Sequence, residues 1–279
     1  MTKILIFTDL DGCLLNHGDY SFEDAGPSLA LIRRAQIPLI MTTSKTRSEV
    51  EALQAEMGLR EPFIVENGGG VFFPAGYRGF AIPTGRLQGD YTLIRLGVAY
   101  NRTRRSLEHI RTRLQIEIKG FGDMSAEDIA AVTGLAPDRV EMARVREFTE
   151  PFLLTSGADL VAVKEMAATL GLKVTSGGRF HHLIGARQDK GEAVRRVRDI
   201  FHRNAGSDWL AVGVGDSVND LPLLKEVDIP VLIPNPARGD LNIQQIGLLR
   251  AGEPGCRGWN SMIEIILNEL MPGNASSQM

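Results

Sequence analysis

Short β-branched runs alternate with amphipathic helical stretches at both ends of the chain, which predicts an α/β protein built on a Rossmann-like parallel sheet. A change of texture between the two ends predicts that an α+β domain is inserted into this core. The expected division places the core at residues 1–83 and 186–279 and the insert at residues 84–185. At 279 residues the chain is long enough to bury such a core without disulfides.

At the N-terminal end, residues 3–8 (KILIFT) read as a buried strand, and residues 28–35 as a helix with Pro27 near its first turn. Residues 37–42 form a second strand. Residues 46–57 form an amphipathic helix opened by a capping box, with Thr46 as N-cap and Glu49 three positions on. Residues 63–66 close a β-α-β-α-β unit, which calls for a parallel sheet covered by helices on both faces. The rhythm returns with a helix at 189–202, strands at 209–213 and 229–233 around a short helix at 221–226, and an amphipathic helix at 259–270. The polar tail beyond it is expected to fray.

Between these halves, residues 91–97 and 117–121 read as half-exposed strands around a helix at 102–115. Two helical stretches follow, then a strand at 151–155 and a helix at 160–170. LKVTSGGRFHHLIG reads as a hairpin turning at Gly177-Gly178. The helix NRTRRSLEHIRTR carries five arginines and one glutamate; a solvated face and an electrostatic funnel are both open.

Composition excludes several functions. A hydrophobic content of 43% with 23% charged residues is ordinary for a globular chain and excludes a disordered or fibrous one. A net charge of −3 argues against a dedicated binder of nucleic acid or anionic membranes. Cys13 and Cys256 make no disulfide framework and suit a reducing compartment. No apolar run approaches the roughly 20 residues of a membrane span, and the start has no signal-peptide pattern, so a cytoplasmic location is expected.

Chemistry concentrates where strands end. FTDLDGCLL places Asp9 and Asp11 directly after the first strand, where open α/β sheets form their ligand crevice. Two such carboxylates can share a divalent cation, divide nucleophilic and acid/base roles, or simply cap an Asx turn. VGVGDSVNDLPLL brings Asp216, Asn219 and Asp220 past a later strand, and Gly213 and Gly215 lack the third glycine of a dinucleotide fingerprint because Val218 stands there. Together the two segments read as halves of a hard-cation site. Ser44 can offer its hydroxyl to a phosphoryl oxygen or be a plain loop residue. Lys190 opens a helix, where the dipole disfavours a cation, so it needs an anionic partner or points to solvent.

DLDG, Ser44, Lys190 and GDSVND, in this order, resemble the four motifs of the haloacid dehalogenase (HAD) superfamily of phosphohydrolases, and the insert resembles the cap of its sugar-phosphatase branch. The resemblance implies a HAD-like core, Asp9 as nucleophile, Asp11 as general acid/base, and Ser44 and Lys190 as phosphoryl clamps. It also implies a Mg²⁺ ion held by Asp9, Asp11 through its carbonyl, and Asp216, with Asn219 and Asp220 behind these ligands.

TTSKTRSEV, PFIVENGGGVFFP and GGRFHHL resemble the mannosyl-3-phosphoglycerate phosphatase family more narrowly. That resemblance implies that Lys45, Glu66, Asn67, Gly68, Arg179 and His182 lie near a phosphorylated sugar-glycerate. Cys13 stands where the family usually has Thr, and His181 where an aromatic residue is common. Arg179 offers the fork a carboxylate requires, or is a solvated hairpin residue. The expected activity is Mg²⁺-dependent hydrolysis of mannosyl-3-phosphoglycerate through an aspartyl-phosphate. The alternatives are another sugar phosphatase, a sugar phosphotransferase, or a sugar-phosphate-binding regulator without turnover.

Overall fold

The computed structural model describes residues 3–154, 159–177, 179–206, 209–236, 243 and 245–272. Gly178 of the expected hairpin turn, Thr155 at the end of an expected strand, and the tail from Gly273 onward lie outside these residues.

The first half of the chain forms β1 (Lys3–Thr8), α1 (Gly26–Arg34), β2 (Leu39–Thr42), α2 (Arg47–Glu56), β3 (Phe63–Val65), β4 (Gly70–Pro74), β5 (Arg86–Gln88) and β6 (Tyr91–Arg95). The insert follows as α3 (Tyr100–Leu114), β7 (Ile118–Gly120), α4 (Ala126–Thr133), α5 (Pro137–Arg144), β8 (Glu150–Leu154), α6 (Leu160–Thr169), β9 (Leu172–Gly177) and β10 (Phe180–Gly185). The chain then returns through α7 (Lys190–Ala205), β11 (Trp209–Gly215), α8 (Leu221–Lys225), β12 (Ile229–Leu232), β13 (Leu249–Arg250) and α9 (Gly255–Leu270).

The large sheet has the order β13-β12-β11-β1-β2-β3-β4-β6-β5. Pairing is parallel from β13 to β3 and antiparallel from there to β5. Alternation along β1 divides its side chains between two cores. Ile4 and Ile6 join a cluster with Trp259 and Ile263 of α9, while Leu5 and Phe7 join one with Val194, Val197 and Phe201 of α7. A helix thus covers each face, and the central strand is apolar from Ile4 to Phe7 because both faces are buried there. At its end Thr8 accepts the indole N–H of Trp259 at 2.9 Å, which satisfies both buried groups.

The large sheet reaches past residue 83, where the insert is expected to begin, because both β5 and β6 belong to it. Residues 91–97 read as part of the insert, yet Tyr91–Arg95 pairs with β4 and extends the large sheet. The reason is aromatic packing. Tyr91 sits edge-on to Phe63 and Phe72, with ring centroids 5.2 and 6.0 Å away. Neither β4, β5 nor β13 is marked by the sequence pattern.

The insert holds a separate antiparallel sheet, β7-β8-β10-β9, whose inner face buries Phe152 and Leu183 against Leu107 and Ile110 of α3 and Val163 of α6. Helices α4 and α5 pack around Phe121, Met124, Ile129 and Val140. Several arginines of α3 are held locally: Arg104 pairs with Asp123 and Glu150, and Arg111 with Asp123. Arg102, Arg105 and Arg113 are exposed and no arginine of this helix lines the cavity described below, so the helix presents a solvated face on which Arg104 and Arg111 form a local ion-pair network.

Candidate active site

The carboxyl ends of β1, β2 and β11 point the same way, and their following loops form one crevice. The Asp9 N–H still donates to Val214 O, at 2.9 Å, so its side chain is fixed by the sheet. The chain then turns at Gly12, whose φ of +83° suits glycine. A β-carbon there would overlap His17 Nε2 and Asp216.

Lys190 resolves its sequence alternatives in favour of anionic partners. Its side chain is fully buried, with Nζ 2.8 Å from Asp9 Oδ1 and 2.6 Å from Asp220 Oδ1. Burial opposes the charge, but the two carboxylates outweigh it and hold the ammonium above its ordinary value. Burial and then the charge of Asp220 push the Asp9 carboxyl up to about 8, against the pull of Lys190. Asp220 is fully committed: Oδ2 accepts the Asp216 N–H at 3.1 Å, the Ser217 N–H at 3.0 Å and the Ser217 hydroxyl at 3.2 Å. It positions the loop carrying Asp216 rather than facing the crevice.

Asp216 Oδ2 accepts from Asn235 Nδ2 at 2.6 Å and lies 3.1 Å from His17 Nε2. Ligand atoms of Asp9, Asp216 and Cys13 all lie within 4.8 Å of one another. Two hard carboxylate oxygens at this spacing fit a Mg²⁺ ion. Burial and then the charge of Asp216 push the Cys13 thiol well above its ordinary value.

On the other side, α2 opens with the expected capping box: Thr46 accepts the Glu49 N–H at 3.2 Å and Glu49 accepts the Thr46 N–H at 2.8 Å. Just before it, Lys45 Nζ lies 3.0 Å from Asp11 Oδ1 and 3.5 Å from Glu49 Oε1. Burial acts against this ammonium too, and the same carboxylates hold it above its ordinary value.

Beside these groups opens a cavity of about 420 Å³ roofed by the insert. The core contributes Asp9, Asp11, Ser44, Lys45, Asp216 and Asn219, and the insert contributes Arg146, Arg179 and His182. His182 and His181 alternate along β10. His182 is buried, and burial followed by the charge of Arg146 pushes its imidazole down to about 3, so the ring is neutral. His181 turns the other way, with Nδ1 2.7 Å from Ser176 Oγ and its ring near Phe152. Arg179 is exposed and its Nη1 donates to Val132 O at 2.6 Å.

Glu66, Asn67 and Gly68 do not line the cavity. Glu66 is fully buried and accepts the N–H groups of Glu147 at 2.7 Å, Phe148 at 3.1 Å and Thr149 at 2.8 Å, and the Thr149 hydroxyl at 2.8 Å. It ties the segment between α5 and β8, within the insert, to the core. Asn67 Oδ1 accepts from Asn219 Nδ2 at 3.1 Å. Gly68, with φ +84°, backs onto the Asp189 carbonyl, so a side chain there would displace the start of α7. Sequence reasoning missed His17, Asn235 and Arg146, which stand in no recognisable spacing.

A comparison with protein-family models finds no match. Among curated proteins, the chain is 50% identical over 270 residues to a glucosyl-3-phosphoglycerate/mannosyl-3-phosphoglycerate phosphatase of Persephonella marina, covering 97% of this chain and 99% of that one. The chain belongs to the glucosyl-3-phosphoglycerate/mannosyl-3-phosphoglycerate phosphatase family. A second member of this phosphatase family, from Methanococcoides burtonii, is 40% identical over 263 residues, or 94% of this chain and 96% of its own. A phosphatase of the HAD superfamily from Bacteroides thetaiotaomicron shares the fold at a TM-score of 0.63 and 17% identity, covering 96% of this chain and 95% of that one. In this phosphatase family's chain, the HAD-like core expected from DLDG and GDSVND is therefore shown.

Proposed function

We propose that this chain hydrolyses the phosphate ester of a glycosyl-3-phosphoglycerate, with glucosyl and mannosyl forms as substrates and inorganic phosphate and the glycosylglycerate as products. The family placement supports the substrate class. The observation that carries the chemistry is the buried Asp9–Lys190–Asp220 chain opening onto a cavity whose far wall is cationic.

Asp9 must be ionised to attack, and Lys190 at 2.8 Å is the chain's own group that favours that state. An Asp9 carboxylate oxygen forms a bond to phosphorus while the bond to the glycerate oxygen breaks, and Asp11 gives that oxygen its proton. Water then attacks the aspartyl-phosphate, Asp11 takes the water proton, and Asp9 is released with free phosphate. Lys190 and the Ser44 hydroxyl face the phosphoryl oxygens as charge builds on them. Asp9, Asp216 and the Asp11 carbonyl would hold Mg²⁺, which when bound neutralises phosphoryl charge and aligns the group.

No helix among the described residues is long and apolar enough to cross a membrane. A cytoplasmic setting is supported by Cys13 and Cys256, both free and buried. The deciding measurement is phosphate release from glucosyl- and mannosyl-3-phosphoglycerate by the wild type and Asp9→Asn. The amide cannot attack phosphorus, so kcat falls at least about 10³-fold while substrate binding survives. Near wild-type turnover by Asp9→Asn would remove the covalent step.

A further inference from the structure

We infer that Arg146 is the residue that recognises the glycerate carboxylate, acting from the segment that joins α5 to β8. This rests on the glycosyl-3-phosphoglycerate reading above. Nothing in VREFTEP marks the residue: Arg144, two positions earlier, is an ordinary solvated arginine with its side chain 42% exposed. The Arg146 side chain is 5% exposed.

A buried guanidinium needs its donors satisfied. Nη1 donates to Ser44 O at 3.1 Å and to Thr149 Oγ1 at 2.9 Å, but Nε is buried with no partner. The guanidinium stacks over the Phe121 ring, 5.6 Å from its centroid, and both residues line the cavity. The nearest carboxylate, Glu66, is 3.8 Å away and already accepts four hydrogen bonds from residues 147–149. Arg146 is therefore held in place chiefly by neutral acceptors, and the part of its guanidinium that lines the cavity carries the positive charge a ligand anion would meet.

Its location matches the substrate. Arg146 is bonded to the carbonyl of Ser44, whose hydroxyl is assigned to the phosphoryl group. In 3-phosphoglycerate the carboxylate carbon is two carbon–carbon bonds from the phosphorylated carbon, so its receptor must adjoin the phosphoryl clamp. The other cavity cations are differently placed. Lys45 is matched by Asp11 and Glu49, and Arg179 is exposed with Nη1 on a backbone carbonyl.

His182 shares the same wall, and its Nδ1 is likewise buried without a partner. Its ring is neutral, so it offers a hydrogen bond and no charge. A guanidinium beside a neutral imidazole suits one carboxylate flanked by a hydroxyl-bearing sugar. The planar fork of Arg also explains why Lys cannot replace it: an ammonium on this stem cannot keep the Ser44 and Thr149 contacts and still face a ligand.

The test compares glucosyl-3-phosphoglycerate with the same compound carrying a hydroxymethyl group in place of the carboxylate. Wild type, Arg146→Lys and Arg146→Met are assayed on both, and binding of the glucosylglycerate product is measured by calorimetry. The wild type favours the carboxylate substrate at least about 100-fold in kcat/KM. Arg146→Lys reduces that ratio at least about tenfold, mainly through KM, and Arg146→Met removes it; product affinity falls by a similar factor. Melting curves of Arg146→Lys show whether the fold persists, and calorimetry on this variant alone decides the matter if Arg146→Met does not fold. A wild-type preference that survives in the variants overturns the inference while leaving the phosphatase reading intact. A wild type that turns over both compounds equally also overturns the inference alone, whereas one that releases phosphate from neither overturns the phosphatase reading on which it rests.

Discussion

The Lys190 ammonium stands 2.8 Å from Asp9 Oδ1 with no water-accessible surface, and Asp220 anchors it from the other side. Lys190→Met removes the one cation between two buried carboxylates. Breaking a buried pair from one side leaves uncompensated charge, so stability falls by about 3 kcal/mol in denaturant titrations. Turnover falls at least about 10²-fold because a phosphoryl-facing donor is lost. Wild-type kcat in a folded variant would remove Lys190 from the clamp.

Gly68→Ala tests how the start of α7 is held. The new β-carbon would overlap the Asp189 carbonyl, and φ at this position is +84°. Left-handed strain of about 1 kcal/mol and overpacking of 1–3 kcal/mol combine to about 2–4 kcal/mol, read as a lower denaturation midpoint. The shift also moves Lys190, so kcat drops more than KM changes. A variant as stable as wild type would show that the turn after β3 yields freely.

His182 makes stability depend on pH. Its native pKa, about 3, lies below the ordinary value of 6.5, so the unfolded chain binds the proton first. The contribution is fully present above pH 6.5 and is lost progressively as pH falls toward 3. At pH 5 the loss amounts to about 2 kcal/mol. His182→Gln should reduce the stability difference between pH 7.5 and pH 5 by that amount in urea titrations. An unchanged difference would mean that the ring protonates in the native state.

Arg179→Ala separates the two arginines of the insert. An exposed guanidinium tied to a backbone carbonyl contributes little charge to the cavity. The expected loss in kcat/KM is below about fivefold and equal for substrates with and without a carboxylate. A selective loss of about 30-fold or more on the carboxylate substrate would move that contact from Arg146 to Arg179.

The core was legible because its chemistry is local. KILIFT followed by Asp9, and WLAVGVG followed by Asp216, join a strand to a carboxylate within a few residues. The dipole argument for Lys190 likewise needed one helix start, and the partners are there. Tyr91–Arg95 shows the limit: alternation identifies a strand but not its sheet, which aromatic contacts with Phe63 and Phe72 decide. Glu66 reads as a polar residue beside a ligand, yet its oxygens are consumed by amides about 80 residues away. Arg146 differs from Arg144 in burial and partners, and that difference arises only when the insert meets Ser44 and Phe121.

Three of the four bonds that Glu66 accepts come from main-chain N–H groups. Those bonds set the path of the backbone, while the side chains fix what lies on either side of it: Glu147 accepts from Arg47 and Gln88, and the Phe148 ring fills the space left by Gly69 and Gly70. The seam is thus gripped twice, once by main chain and once by side chain. A roof transplanted from a relative would seat on this core only if the acceptor at position 66 and the room for the ring at 148 were both kept.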